Sequence, residues 1–142
     1  MRHTILVRAT VIAAIFAAGF WAGHQRGSAS MKGRVFELRT YTANEGKLPD
    51  LLSRFRNHTM KLFEKHGMKN VGYWIPQDAP LSQNTLIYVL SHDSRDAAQK
   101  SWQAFRNDAD WKKAQAASEV NGRLVQKVEA VYMDAADFSP MK

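Results

Sequence analysis

The run TLIYVLS, Thr85 to Ser91, restricts the fold more than any other part of this chain. As a strand it turns Leu86, Tyr88 and Leu90 to one side and Ile87 and Val89 to the other, so both faces are apolar. A strand of that kind lies in a sheet covered on both sides. The rest of the chain must therefore supply two covers.

The flanking segments supply the first. Arg34 to Thr42, RVFELRTYT, alternates as a strand, with Phe36, Leu38 and Thr40 against Val35, Glu37, Arg39 and Tyr41. Pro49 suits the first turn of a helix, and Leu48, Leu51, Leu52, Phe55, Leu62 and Phe63 follow at helical spacing as far as Gly67. MKNVGYWI reads as a second strand ending at Pro76. After the doubly apolar strand, Asp93 or Ser94 caps a helix carrying Ala97 or Ala98, Trp102 and Phe105. A short helical piece, Ala109 to Ser118, precedes Gly122 and a final strand, RLVQKVEAVYM.

Strand, helix, strand, strand, helix, strand is the α+β, ferredoxin-like plan: a split βαβ with an antiparallel sheet and helices on one face. The other face keeps apolar side chains at Val35, Tyr41, Ile87 or Tyr88, and Val125 or Val131. A second copy of the sheet is the economical cover. The expectation is a homodimer whose sheets close into a dimeric α/β barrel.

Residues 1–30 differ in composition and resemble a secretory signal peptide. Arg2, His3 and Arg8 precede fourteen uncharged residues, Ala9 to Ala22, and then GHQRGSAS. Fourteen apolar residues are short for a span of about 20, so cleavage after Ser30 or near Ala22 or Gly23 is expected, with an uncleaved N-terminal anchor as the alternative. Export to the periplasm or beyond follows, with membrane attachment only if the leader stays. Residues 31–142 then form a single domain. Of the formal +7, three excess charges (Arg2, Arg8 and Arg26) lie in the leader, leaving +4. The remaining basic residues alternate with acids, which argues against a nucleic-acid partner. The chain has no Cys, which excludes disulfides, thiolate metal sites and thiol nucleophiles.

His58 and His66 fall on one helix eight residues apart, about 80° around it and roughly 12 Å along it, and cannot share a metal ion. No metal site is expected. His66 at the helix end reads as a partner for the last carbonyls. His58, beside the stripe through Phe55 and Leu62, reads either as a packing histidine or as the one catalytic candidate, facing a pocket between helix and sheet. Glu37 and Arg39 read as a surface or interface salt bridge, with Arg39 as a ligand-binding alternative. Tyr41, Tyr73, Trp74 and Trp102 are core or interface aromatics, or the walls of an apolar pocket.

FELRTYTANEGKL, KHGMKNVGYW and SRDAAQKSWQAFRNDADWKKA, in this order, resemble the NIPSNAP family within the dimeric α/β-barrel group, over about Val35 to Val131. The telling residues are Glu37, Leu38, Arg39 and Tyr41, the turn at Gly46, and Trp102, Phe105, Asp108 or Asp110, and Trp111. The resemblance implies a ferredoxin-like protomer paired through its sheets, and no settled reaction. The expected function is an exported homodimeric binding or protein-interaction module with an aromatic-lined pocket for a small apolar or amphipathic ligand, without a cofactor. The alternative is a cofactor-independent or haem-dependent monooxygenase of the related barrel families, with His58 as general base or haem ligand and Arg39 and Tyr73 orienting the substrate.

Overall fold

A computed structural model describes residues 33–142. Four antiparallel strands, β1 (Val35–Ala43), β2 (Lys69–Trp74), β3 (Thr85–His92) and β4 (Val125–Asp134), stand in the order β2-β3-β1-β4. The doubly apolar β3 is an inner strand, paired with β1 (Leu38 opposite Val89) and with β2 (Tyr73 opposite Tyr88). Helices α1 (Leu48–Arg54), α2 (Met60–Lys65), α3 (Arg95–Asn107) and α4 (Ala109–Ser118) complete the ferredoxin-like plan. Their buried Leu51, Phe55, Phe63, Trp102 and Phe105 form one core with Leu86, Tyr88 and Leu90 of the sheet.

Local signals explain the helix boundaries. Pro49 occupies the first turn of α1, where its missing N–H is not needed. Ser94 Oγ accepts from Ala97 N at 3.0 Å to start α3. Asp108 Oδ1 accepts from Asp110 N and Trp111 N to start α4. Gly67 ends α2 at φ +78°, a region that glycine enters without steric cost.

The helix expected from Leu48 to Gly67 is interrupted. Between α1 and α2, Phe55–Thr59 forms a π-helical turn, with Met60 N donating to Phe55 O and Thr59 Oγ1 donating to Arg54 O. A π turn holds about one residue more than an α turn. The inward position after Phe55 therefore passes to Thr59, which is 1% exposed, and His58 falls on the solvent side.

The faces of the sheet depart from expectation on β1, while Ile87 and Val131 lie outward as one of the alternatives had it. Glu37, Arg39 and Tyr41 share a face with Leu86, Tyr88, Leu90 and His92, and these β3 residues are buried. Val35, Tyr41, Tyr88 and Val125 are thus helix-side, not outer. The outer face carries Phe36, Leu38, Ile87, Val89 and Val131. A two-residue period groups side chains without saying which group the helices cover. Here the charged pair is covered, because Glu37 and Arg39 satisfy each other and recruit further partners. The C-terminal segment, Ala135 to Met141, borders the outer face and encloses with it an apolar hollow of about 440 Å³.

No helix among the described residues is long and apolar enough to cross a membrane. The expected leader lies outside the described residues.

Candidate functional site

The helix-side face of β1 organises a buried polar centre. Glu37 is fully buried. Its Oε2 accepts from Trp102 Nε1 at 2.7 Å and from His92 Nε2 at 2.8 Å, while Arg39 Nη1 donates to Oε1 at 2.6 Å. The Arg39 guanidinium lies 4.2 Å from the Trp102 ring centroid and 5.5 Å from that of Tyr41. The expected surface or interface salt bridge is therefore an interior one. Burial alone would raise the Glu37 carboxyl, but the hydrogen bonds from His92, Trp102 and Arg39 outweigh it and hold the group below its ordinary value. Three buried atoms of this centre, Arg39 Nε, Tyr88 Oη and His92 Nδ1, have no hydrogen-bond partner among the described residues.

Next to it stands an aromatic cluster. Tyr88 stacks on Tyr73 with centroids 5.3 Å apart and meets Tyr41 and Phe55 edge-on, both at 5.2 Å. Burial pushes the Tyr88 and Tyr73 phenols well above their usual value, so both are neutral near pH 7. Tyr73 Oη donates to Asn70 Oδ1, and Asn70 Nδ2 donates to Met60 O, tying β2 to the helix layer.

A cavity of about 350 Å³ opens beside this cluster, between the helices and the β1–β4 side of the sheet. Tyr41, Phe55, Phe63, Phe105 and Trp111 supply its aromatic wall, and Arg54, Gln115, Glu119, Arg123 and Gln126 its polar one. Trp111 is held there by Asp108, which caps α4 and whose Oδ2 pairs with His66 Nε2 at 2.7 Å. His66 thus bridges to α4 through its side chain and does not serve the last carbonyls of its own helix. Hydrogen bonds from Lys65 and His66 hold the Asp108 carboxyl well below the usual carboxylate range.

The sequence-derived residues separate in space. Tyr41 lines the cavity; Arg39, Tyr73 and Trp102 belong to the packed layer beside it. Trp74 does not join them. It is 53% exposed on the outer side, with its ring folded over Gly72 so closely that a Cβ there would meet ring carbons at 2.5 and 2.8 Å. His58 is displaced as well. It borders a separate polar groove of about 330 Å³ between the π turn and α4, lined also by Asp50, Ser53, Arg54, Asn57 and Ser118. A pocket between helix and sheet is out of its reach, since the π turn rotates it outward. Among the described residues no group of three His, Cys, Asp or Glu side chains is arranged to hold a metal ion.

Sequence reasoning missed His92, Tyr88, Arg54 and Glu119. A charged pair on an alternating strand, with a histidine ending the neighbouring strand, was the available sign of the Glu37 centre. The π turn that carries His58 outward has no sign in composition or spacing.

The fold is shared with proteins of known structure. A NIPSNAP family protein of unknown function from Agrobacterium tumefaciens superposes with a TM-score of 0.67 at 21% identity, covering 79% of this chain and 96% of that one. An uncharacterized NIPSNAP domain protein from Burkholderia xenovorans gives 0.62 at 19% identity, covering 75% and 98%. SnoaB, a cofactor-independent oxygenase from Streptomyces nogalater, gives 0.52 at 14% identity, covering 76% and 98%. A monooxygenase from the gene ActVA-Orf6 of Streptomyces coelicolor, in complex with nanaomycin D, gives 0.53 at 13%, covering 77% and 94%. Identities this low establish the shared fold and nothing of the chemistry. No curated protein matches the sequence. The NIPSNAP family itself matches residues 36–140, so the chain belongs to the NIPSNAP family.

Proposed function

We propose that this NIPSNAP protein is an exported homodimeric binding module that takes a small apolar or amphipathic ligand with an aromatic body into the cavity between helices and sheet. The observation that carries the reading is that cavity. Its volume of about 350 Å³ lies within the roughly 300–1,000 Å³ range of small-molecule sites, which combine apolar walls with a few placed polar groups. Tyr41 and Trp111, the partly exposed aromatics of its lining, supply stacking surface over the buried Phe55, Phe63 and Phe105, and Gln115, Gln126 and Arg123 supply the polar groups. The exposed Val131 and half-buried Leu38, Ile87 and Val89 of the outer face support pairing through the sheets. The leader-like sequence of residues 1–30 supports export.

The oxygenase alternative shares this cavity and gains no observation of its own. His58 stands outside it, and the neighbouring phenols are held neutral. Among the described residues the histidines do not fit haem: His58 sits on an open polar rim, His66 is paired with Asp108, and His92 is buried with its Nε2 engaged by Glu37.

Native mass spectrometry of the protein taken from its host compartment tests the reading. The expected result is a dimer carrying a stoichiometric small-molecule adduct, which is lost when Gln115→Trp or Val128→Trp fills the cavity. A bare dimer in every preparation would shift the function to protein interaction. A monomer would remove the paired-sheet assembly.

A further inference from the structure

The aromatic cavity and the polar groove have one side chain in common, Arg54. Its side chain is 3% exposed, and its guanidinium carbon lies 5.1 Å from the Trp111 ring centroid. Nη1 donates to Ser118 Oγ at 3.2 Å and to Glu119 Oε1 at 3.1 Å. Nε is buried without a partner among the described residues. An arginine has five N–H donors in a planar fork suited to an oxyanion, and here Nη1 alone is hydrogen-bonded among the described residues. A buried donor left idle, here Nε, needs an explanation.

The surroundings supply one. Ser118 faces the groove and the adjacent Glu119 faces the cavity, so the end of α4 straddles the two with Arg54 between them. The groove offers His58, Asn57 and Asn121 as further polar groups, and Ala114 and Ala117 leave its floor low. Positive charge exceeds negative around the cavity: Arg54 and Arg123 face Glu119, and Arg123 has no ion pair among the described residues. Asp50, at the groove, has Lys47 4.0 Å away.

We propose that cavity and groove are the two halves of one site for an aromatic monoacid, whose ring body stacks in the cavity and whose oxyanion replaces Glu119 on Arg54 and reaches the groove at His58 and Asn121. The proposal rests on the reading of the cavity as a ligand pocket and adds the charge and direction of the ligand. Asp50 at the far side of the groove disfavours a dianionic head. Glu119, once displaced, keeps its contact with Leu124 N, at 3.4 Å, and so remains tied to the start of β4.

A pair of fluorescent probes separates the two halves. N-phenyl-1-naphthylamine and 8-anilino-1-naphthalenesulfonate share a ring body and differ in the sulfonate. In titrations of the purified chain the sulfonate is expected to bind about tenfold tighter than the neutral amine, the margin of one charge-assisted contact. Arg54→Gln should erase that margin, so that the two probes bind with equal affinity. His58→Gln, at an exposed position, and Ala117→Trp, which fills the groove floor, should each weaken the sulfonate alone. If Arg54→Gln fails to fold, the Arg54→Gln/Glu119→Gln pair removes both charges and gives the same reading. Equal affinities for the two probes, equal loss of both in Arg54→Gln, or no response to the groove variants would overturn the proposal and leave the cavity reading standing. Failure of the neutral amine to bind would overturn both.

Discussion

Glu37 shows how a single carboxylate sets the interior. It holds Arg39, His92 and Trp102 together from β1, β3 and α3. Removing one partner of a buried ion pair leaves the other uncompensated and costs about 3–5 kcal/mol, so Glu37→Ala should lower the urea-derived stability by that order. The pH dependence has a definite sign. Glu37 and Asp108 have folded pKa values below their unfolded ones, near 4.5 and 3.8. The stability they contribute is complete above those unfolded values and is lost as pH falls through the lower folded ones. Unfolding midpoints between about pH 2 and 6 should therefore drop steeply at the acid end, and Glu37→Gln should flatten part of that drop. A slope unchanged in the variant would separate Glu37 from the acid response. None of this was legible at Glu37 itself, because an alternating Glu and Arg on a strand more often face water than a core.

The helix from Leu48 to Lys65 is legible as an element and not in its register. Leu51 and Phe55 before the break, and Leu62 and Phe63 after it, all point inward, which the apolar spacing announced. Between them the π turn accommodates one additional residue, and the surplus decides that Thr59, not His58, faces the core. Deleting Asn57, an exposed residue of that turn, should restore a continuous α-helix with both inward stripes intact. Cooperative urea unfolding should persist, with circular dichroism unchanged. Deleting Gln99 from α3 is the contrast, since it rotates Trp102 and Phe105 by about 100° relative to the helix start and should abolish the fold. If both deletions behaved alike, the π turn would not be carrying a removable residue. The start of α3 was narrowed in the sequence to Asp93 or Ser94, and Ser94 is the cap, accepting from Ala97 N; that Asp108 caps α4 was not read from the sequence.

For the whole molecule, the order of elements was readable because turn residues bound the strands and Pro49, Gly67, Ser94 and Gly122 mark where helices start or stop. The covered side of the sheet was not, since the alternating period of β1 fits either assignment. Correcting the faces strengthens the case for pairing. Leu38, Ile87, Val89 and Val131 lie on the outer face away from all four helices. Leu38→Glu, set in the middle of that face, should turn a dimer into a monomer in sedimentation velocity with near-native circular dichroism; an unchanged dimer would place the interface elsewhere. The same sheet fixes where the chain enters and leaves. Val35 is paired with Asp134 across β1 and β4, so the first and last strand residues are direct neighbours at one edge. The order of the elements along the chain is thus separable from their arrangement in space: a short bridge between these ends, with new termini cut in the exposed stretch at Gln77 to Leu81, should give a circular permutant with native-like circular dichroism that keeps every strand pairing, the cavity and the groove.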